Sequence, residues 1–428
     1  MSTLEARHLA AAPTSASPAG SERRSVKPHT IVIGAGISGL LAALEAHRAG
    51  HRVTIVTKGF GGLQLSAGTI DIYDDDAPLE AAARIGKENP DHPYAHISTD
   101  DITAGIEALR AYIPLEGSAE HATKLPTALG AIRRTSLFPH SYAAGALDSA
   151  TDYLIVGFSG IKDFYPKLVA ENLANQGISA RAEVVTLIAK GDTSLQYSRL
   201  LESDEALQRL AEALKRVAQP GEHIGIPAVL REDAARKLEH LVGQPVFQIP
   251  TPPPLVPGLG FNEILRAATQ QARIQLMLNA AAVGAVPVDG RLTKLKVQVA
   301  GAVKDISADY VIYAAGGLDS GAIEIDSYFN AHDTVFDFPV TVPTGHVADP
   351  DYWGKPQGAF AAGLATDDDL HPVGEDGTPV YTNVYAVGGM LSGAWRAREK
   401  DGEGIALGSV IRALNAIKND AMTNERIA

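Results

Sequence analysis

The clearest pattern of apolar and polar positions lies near the N-terminus of the chain. A β-branched run, 31–33, leads directly into the motif Gly34-x-Gly36-x-x-Gly39. A stretch rich in alanine and leucine, 40–49, follows the motif, and a second short apolar run comes after it. Short β-branched runs predict buried strands, and a longer run of alanine and leucine predicts a helix. The pattern therefore predicts strand, glycine turn, helix and strand in immediate succession.

Each glycine of this motif has its own physical role. Gly34 permits a tight turn, Gly36 lets backbone N–H groups reach a phosphate, and Gly39 lets helix and strand pack closely. The phosphate then lies at the positive end of the helix, beside Ser38. A glycine triplet alone is weak evidence in a chain with 41 glycines, but its place between strand and helix strengthens it. We interpret it as a nucleotide-binding turn; the alternative is a merely structural glycine turn.

The tip of the second strand lacks the acidic residue that usually ends this fingerprint. About 20 residues after the glycines, a carboxylate normally binds a ribose hydroxyl. Here the strand 53–56 ends in Thr57-Lys58-Gly59. The missing carboxylate argues against a soluble NAD-dependent dehydrogenase and leaves a flavin, including FMN, which has no adenosine ribose. Thr57 and Lys58 are retained as cofactor-binding candidates.

The next segment, 59–71, contains four glycines and a serine close to the second strand. Its composition fits a loop that lies against a ligand, and equally a flexible connection. We take Ser66 and Gly68 as cofactor-binding candidates in this loop. Farther on, 153–160 predicts a strand and 164–176 a helix. Their Ser-Gly junction is either a second phosphate loop or, as we favour, a substrate-domain turn.

Two later strands repeat the design of a strand that ends in small residues. The strand 310–314 leads into Ala315 and Gly316, and the strand 384–387 leads into Gly388 and Gly389. A third glycine-rich element opens the last predicted helix, 405–417, and contributes Gly402 and Gly404. Free N–H groups at a helix start suit a phosphate or a flavin carbonyl, because both carry negative charge. Three such elements in this order are shared by glutathione-reductase-like and fumarate-reductase-like flavoproteins.

The distribution of β character indicates how the chain is divided. Strands from both ends combine into one Rossmann-like α/β domain of the FAD/NAD(P)-binding, glutathione-reductase or fumarate-reductase-like class. The predicted divisions are a disordered tail at 1–28, a flavin-binding domain at 29–90 plus 290–428, and an inserted α+β substrate or partner domain at 91–289. A chain of 428 residues is long enough for two such units.

Longer motifs make the chain resemble the B-subunit of bacterial anaerobic glycerol-3-phosphate dehydrogenase, from about residue 29 to the last helix. The resemblance rests on Ile33-Gly-Ala-Gly-Ile-Ser-Gly-Leu, Ile55-Val-Thr-Lys-Gly, Leu65-Ser-Ala-Gly-Thr-Ile-Asp, His92-Pro-Tyr, Val156-Gly-Phe-Ser-Gly-Ile-Lys-Asp-Phe, Ile249-Pro-Thr-Pro-Pro-Pro, Thr366-Asp-Asp-Asp-Leu-His-Pro and Asn383-Val-Tyr-Ala-Val-Gly. The chain departs from the family at Asp401-Gly-Glu-Gly, where cysteine is usual, and at His371-Pro372, where arginine is expected before proline.

The resemblance implies an FMN-associated subunit with two partners, a catalytic FAD subunit and an iron–sulfur subunit at the membrane. Together they would oxidise sn-glycerol 3-phosphate to dihydroxyacetone phosphate and reduce a quinone during anaerobic respiration. The glycine fingerprint taken alone favours FAD, so FAD remains the alternative cofactor. Two further hypotheses stay open: a self-sufficient FAD-dependent dehydrogenase or reductase of the fumarate-reductase kind, and a flavin-free structural partner subunit.

Composition narrows the possible partners. The formal charge of −13 argues against nucleic acid or an anionic membrane surface as a partner. The chain has no cysteine, which excludes disulfides and cysteine-ligated iron–sulfur clusters from it. No apolar run approaches the ~20 residues that cross a bilayer. We expect a cytoplasmic protein, or one held at the inner face of the membrane through a partner subunit.

The residues for substrate chemistry are only weakly indicated. The oxidation needs a base for the hydroxyl proton, for which His346 and His371 are weak candidates, so the catalytic residues stay unknown. Lys58, Arg396 and Arg398 are candidate cations for the substrate phosphate. Nothing in the sequence resembles a metal site or a nucleophilic triad. The lack of a clear base favours an electron-transfer or accessory flavoprotein subunit.

Overall fold

The computed structural model describes residues 27–187, 193–351 and 353–427. The described residues form these helices: α1 Ile37–Arg48, α2 Pro78–Glu88, α3 Thr99–Arg110, α4 Pro166–Ala174, α5 Ser194–Leu200, α6 Asp204–Val217, α7 Glu232–Val242, α8 Val256–Gln271, α9 Arg396–Glu399 and α10 Gly402–Ile427. The strands are β1 His29–Ile33, β2 Arg52–Thr57, β3 Glu116–Gly117, β4 Thr123–Pro126, β5 Ile132–Thr135, β6 Leu137–Phe138, β7 Tyr153–Phe158, β8 Ala180–Val185, β9 His223–Pro227, β10 Val246–Ile249, β11 Gln275–Leu278, β12 Ala280–Val288, β13 Arg291–Val299, β14 Ala302–Ser307, β15 Tyr310–Tyr313, β16 Ile323–Ile325, β17 Ala331–Asp333, β18 Val340–Thr341, β19 Gly363–Leu364 and β20 Val384–Ala386.

The central sheet of the first unit is parallel, with strand order β11-β2-β1-β15-β20. Its middle strand carries Ile31, Val32 and Ile33, all at most 5% exposed. Strands covered on both faces are apolar throughout, as this run is. Strands from near both ends of the chain meet in this sheet, which confirms the Rossmann-like α/β prediction.

Helix α1 is buried on almost every side, because alanines such as Ala42, Ala43 and Ala46 let its neighbours approach closely. It contacts α3, α8 and α10 as well as the sheet. The predicted helix 40–49 begins three residues earlier in the structure, at the glycine motif itself. The last helix is longer than predicted, because it begins at Gly402 and extends to Ile427.

The inserted unit has a second parallel sheet, with order β10-β9-β7-β8. Helices α4, α6 and α7 contact this sheet or one another, and the buried core of the unit runs from Tyr153 to Ile249. The insertion is therefore an α/β unit built on a parallel sheet, which refines the predicted α+β arrangement. In the described chain just before β7, the small hairpin β4–β5 and the pair β3–β6 are antiparallel.

The two cores do not divide the chain at the predicted residues 91 and 289. Helices α3 and α8 contribute to the first core through residues such as Ile106 and Leu265, and β11 pairs with β2. We propose that the unit with its own core is narrower, near 153–249. The predicted tail, 1–28, lies almost entirely outside the described residues.

Candidate functional site

A cleft of about 660 Å³ opens at the carboxyl ends of β1, β2 and β15. Crevices at this edge are where open α/β sheets bind ligands. Its lining consists mainly of glycine and alanine: Ile33, Gly34, Ala35, Gly36, Val56, Thr57, Lys58, Gly59, Gly61, Gly62, Leu65, Ala280, Ala281, Ala282, Ala314, Ala315, Gly316, Asp319, Ser320, Ala322, Thr334 and Val335. Six predicted cofactor residues are therefore brought together here: Gly34, Gly36, Thr57, Lys58, Ala315 and Gly316.

The three glycines of the motif have the environments that their predicted roles require. Gly34 has a φ of +109°, and a side chain there would overlap the carbonyl of Ala314. A side chain at Gly39 would overlap the carbonyl of Gly34. By contrast, a Cβ at Gly36 would meet no atom within 4 Å. Gly34 and Gly39 thus serve packing, while Gly36 leaves open space in front of the helix.

The start of α1 fits a phosphate group. Its N-cap, Gly36, offers no side chain to bind the first N–H groups, and the first turn contains no acidic residue. Free N–H groups and the helix dipole both favour an anion at this point. Gly61, with a φ of +63°, brings its loop close above Gly36, because a Cβ on Gly61 would lie 3.0 Å from the Gly36 Cα. The loop after β2 therefore approaches the glycine turn closely, and its predicted contact with a ligand stays a prediction.

At the tip of β2, the Thr57 hydroxyl donates to the carbonyl of Gly59 and so stabilises the turn. Lys58 lines the cleft and also a neighbouring hollow of about 370 Å³. That hollow continues past the tip toward Asn279 and Gln298. The hollow and the cleft thus adjoin at Lys58, Ala280 and Ala281.

Other predicted cofactor residues lie beside the cleft and serve packing. Gly388 has a φ of +61°, and a side chain there would overlap the Ser38 hydroxyl. Its N–H donates to Ser409 Oγ at 2.9 Å. A Cβ on Gly389 would lie 2.8 Å from the carbonyl oxygen of Gly316. These contacts bring the starts of α1 and α10 together beside the end of β15.

The remaining predicted glycines support the same end of the molecule. The Gly68 N–H donates to Ser66 Oγ at 3.1 Å, which closes the loop that packs against the start of α8. A side chain at Gly404 would overlap the hydroxyl of Tyr94. Gly402 lies against the aliphatic part of Arg396, one of the candidate cations. Their roles toward a cofactor stay predictions.

A polar cluster that the sequence did not indicate lies at the start of α10. Asp71 is 2% exposed and accepts hydrogen bonds from Arg133 and from the Thr135 hydroxyl. Glu403, in the first turn of α10, lies beside these groups. Burial and then the negative charge of Asp71 raise the pKa of Glu403 to about 7, while Arg133 opposes the shift. The surroundings of Glu403 in the cluster thus favour its protonated form.

No sequence signal connects these residues, since Asp71, Arg133 and Glu403 are far apart in the chain and belong to no shared motif. A loop, the hairpin β4–β5 and α10 bring them together. A carboxyl group with a shifted pKa is a candidate for proton transfer, although Asp71, Arg133 and Glu403 do not line the cleft. Sequence analysis considered only histidines as bases and therefore missed Glu403.

A second buried cluster joins His92, Asp401 and Glu399, whose ligand atoms all lie within 4.8 Å of one another. The geometry resembles a metal site, but the imidazole tautomer opposes one. His92 Nδ1 accepts the Tyr94 N–H at 3.1 Å, so the ring proton is on Nε2. Nε2 faces Asp401 Oδ2 at 3.1 Å as a donor and cannot ligate a metal in this state.

The two weak histidine candidates lie elsewhere. His346 is more than half exposed, and its Nε2 lies 3.8 Å from Asp349. His371 is largely buried, with Nδ1 3.0 Å from Asp367 and its ring 4.6 Å from that of Tyr385. Neither lines the cleft. Arg396 lies near the start of α10, whereas Arg398 is exposed.

Comparison with known proteins identifies the class. A family described as "FAD binding domain" matches residues 29–405, and the chain belongs to this family of flavoproteins. The resemblance drawn from the motifs is also confirmed. The chain is 28% identical over 413 residues to the probable anaerobic glycerol-3-phosphate dehydrogenase B-subunit of Halobacterium salinarum, covering 90% of this chain and 96% of that protein.

A second relative is the anaerobic glycerol-3-phosphate dehydrogenase B-subunit of Yersinia pestis, 28% identical over 419 residues, which covers 90% of this chain and 97% of the relative. Among solved structures, 3-ketosteroid delta1-dehydrogenase from Sterolibacterium denitrificans is 13% identical. It covers 91% of this chain and 99% of its own, with a TM-score of 0.44, too low to support any argument.

Proposed function

We propose that the chain is a flavoprotein subunit of an anaerobic glycerol-3-phosphate dehydrogenase. The complex oxidises sn-glycerol 3-phosphate to dihydroxyacetone phosphate and passes electrons through flavin toward a quinone. The observation that carries the proposal is the likeness to the B-subunit relatives, which extends over 90% of this chain and 96–97% of theirs. A match over whole chains supports a shared role better than a match to the nucleotide turn alone.

The flavin belongs in the cleft at the ends of β1, β2 and β15, with a phosphate at the start of α1. When bound, it would supply a redox centre for electron transfer within the complex. The description of the family supports FAD. The absent carboxylate at Thr57 and Lys58 supports FMN, which the resemblance implies. We give FAD the preference, with FMN as the alternative.

The polar cluster at the start of α10 combines a carboxyl group of raised pKa with a partly exposed cation. Burial and Asp71 raise the pKa of Glu403 to about 7, and Arg133 bears a positive charge beside Asp71. Because Asp71, Arg133 and Glu403 do not line the cleft, we assign none of them to the substrate.

The proposed partners are a catalytic FAD subunit and a membrane-associated iron–sulfur subunit. Within the part of the chain that the structure describes, no helix has the length and apolarity needed to cross a membrane. We propose a cytoplasmic location, with attachment to the inner face of the membrane through the iron–sulfur subunit.

The first experiment is to purify the chain, release its ligand by denaturation, and determine the ligand's mass and molar ratio to protein. A flavin near one per chain supports the proposal, and its mass separates FAD from FMN. Dye reduction by glycerol 3-phosphate is then measured for the chain alone and for the co-expressed complex. Activity of the chain alone would favour the self-sufficient dehydrogenase, and absence of flavin from this chain within the active complex would favour the structural partner.

A further inference from the structure

Exposed aromatic side chains are concentrated in one stretch of the chain. Residues 321–364, here named the aromatic region, contain Tyr328, Phe329, Trp353 and Phe360, which are 83%, 66%, 90% and 59% exposed. Among the described residues outside it, Tyr165 is the one further aromatic side chain exposed to this degree. Tyr328 and Phe329 are neighbours in the turn between β16 and β17, and adjacent exposed aromatic residues are typical of interaction surfaces.

The aromatic region is anchored firmly on its inner side, so its exposed residues do not reflect loose packing. Phe336 and Phe338 pack with their ring centroids 5.1 Å apart, and Phe336 meets Tyr313 of β15 edge-on at 5.1 Å. The Tyr313 hydroxyl donates to Asp333 in β17. Buried aromatic rings thus hold the region against the central sheet, while other aromatic rings face outward.

The turn between β16 and β17 holds two of these aromatic residues in a defined position. The Asp326 carboxylate accepts the Tyr328 N–H at 2.8 Å and the Asn330 N–H at 2.9 Å. These hydrogen bonds, with those from Asn330 Nδ2 and His332, lower the pKa of Asp326 to about 2. Phe329 adopts a left-handed φ of +64°, which is rare for a bulky residue. The turn therefore presents both rings to solvent at a cost in backbone strain.

The charge of the region indicates the partner. Residues 321–364 contain six aspartates and glutamates and one lysine, a formal charge of −5. An anionic lipid surface would be repelled by this charge, and so would a second copy of the same region. A protein surface with apolar pockets and a basic rim is complementary to it.

The position of the region indicates why a partner would bind there. Ala322 and Thr334, at the base of the β16–β17 hairpin, line the nucleotide cleft and are joined by a 2.9 Å hydrogen bond from Thr334 N–H to the Ala322 carbonyl. The hairpin therefore connects the wall of the cleft to the exposed aromatic tip. A protein bound at the tip would lie next to the proposed flavin.

We infer that the aromatic region docks a partner protein whose surface combines apolar pockets with a basic rim, and that this partner is the catalytic subunit of the proposed complex. The inference rests on the proposed function, because that function supplies the partner. Tyr328 and Phe329 provide the apolar contacts, and carboxylates such as Glu324 provide the charge.

The test measures binding of the purified catalytic subunit from the same organism to the full-length, flavin-loaded chain. The double variant Tyr328→Ser/Phe329→Asn removes both rings, and asparagine tolerates the left-handed backbone at its position. We expect binding to weaken at least about tenfold, as for central aromatic residues of interfaces. Glu324→Lys should weaken binding less and should also reduce its dependence on salt.

The matched controls lie on the insertion. Tyr165→Ser removes a tyrosine that is 60% exposed, and Glu171→Lys reverses an exposed charge on α4. Both controls should bind within about twofold of the unaltered chain, since exposed side chains outside an interface contribute little. Flavin content and melting temperature, measured for every variant, verify that the fold is intact.

Equal binding by the unaltered chain, the double variant and the Tyr165 control would overturn the docking surface and leave the proposed function standing. Failure of the unaltered chain to bind the catalytic subunit would refute the proposed subunit role itself. Two further results would overturn the choice of a partner protein. If the unaltered chain sediments with phosphatidylcholine–phosphatidylglycerol vesicles and the double variant does not, the region binds a lipid surface. If the unaltered chain is a dimer in light scattering and the double variant is not, the region binds a second copy of the chain.

Discussion

The two parallel sheets of the chain have different surroundings at the carboxyl ends of their strands. In the first sheet, β1 and β15 are followed by Gly34 and Ala314, and a cleft of about 660 Å³ remains in front of them. In the insertion, the last residue of β7 is Phe158, which is 2% exposed and stacks on Tyr197 at 5.5 Å. An aromatic pair thus packs at this strand end, whereas small residues line the cleft at the other.

The glycine turn of the first unit also differs from the glycines within the strands of the insertion. A Cβ at Gly36 would meet open space, whereas a Cβ at Gly225 in β9 would lie 2.5 Å from the ring of Phe247. Gly157 in β7 is likewise covered, by Pro166. After Phe158, α4 does not begin until Pro166, so no helix start faces the end of β7. These features favour a substrate-domain turn over a second phosphate loop in the insertion.

The largest effect is expected from Gly36→Val, which fills the open space in the first unit. Because no protein atom lies within 4 Å of the added Cβ, the fold should persist while flavin is lost completely. The measurement is flavin absorbance per chain, with the melting temperature of the apoprotein as the check on folding. Gly260→Val in α8 is the control, since its Cβ would also meet open space. Full flavin occupancy in Gly36→Val would show that the flavin phosphate does not bind at this turn.

The next effect is expected from Phe158→Ala, which opens the filled strand end of the insertion. Removing a buried phenylalanine costs about 3–5 kcal/mol of unfolding free energy. Hydrogen exchange of the β7 amides should report this loss for the insertion, and flavin content should stay unchanged because the first sheet is untouched. Tyr165→Ala, at an exposed position, should leave the exchange unaltered. A loss of flavin in Phe158→Ala would show that the two units depend on each other more closely than their separate cores indicate.

The smallest expected effect is the pH dependence of stability that one carboxyl group in each unit causes. Its sign differs between Glu403 in the first unit and Glu222 in the insertion. Burial and Asp71 raise the pKa of Glu403 from its usual 4.5 to about 7. Its contribution to stability is therefore present below pH 4.5 and is lost as the pH rises through 7. The pKa of Glu222 in the insertion is lowered. Burial alone would raise it, but two hydrogen bonds from the Arg181 guanidinium to the Glu222 carboxylate, at 2.6 and 2.8 Å, outweigh burial. Its contribution is present above pH 4.5 and is lost on acidification.

Denaturant unfolding of Glu403→Gln and Glu222→Gln against pH tests this contrast. Since glutamine resembles the neutral acid, Glu403→Gln should gain stability over the unaltered chain between pH 5 and pH 8. Glu222→Gln should be less stable than the unaltered chain throughout the same interval. Glu171→Gln, an exposed carboxylate on α4, should show neither trend. Parallel pH profiles for the unaltered chain and Glu403→Gln would place the pKa of Glu403 at an ordinary value.

Much of the first unit could be predicted from local patterns. The run 31–33 and the glycines that follow indicate strand, turn and helix from neighbouring residues alone, because each step depends on backbone conformation within a few positions. The limits of the insertion could not be predicted in this way. Helix α3 and strand β11 resemble elements of either unit, and only their packing on α10 and β2 assigns them to the first.

The glycine turn, the parallel fold and the family could all be predicted from contiguous motifs, because the chemistry of such motifs is local. Tertiary structure alone decided that Gly36 faces open space while Gly388 packs on Ser38, although both are glycines at strand ends. It also decided that Glu403 lies beside Asp71. The pKa of a carboxyl group depends on burial and on charges from distant parts of the chain, and no local pattern records which residues folding brings together.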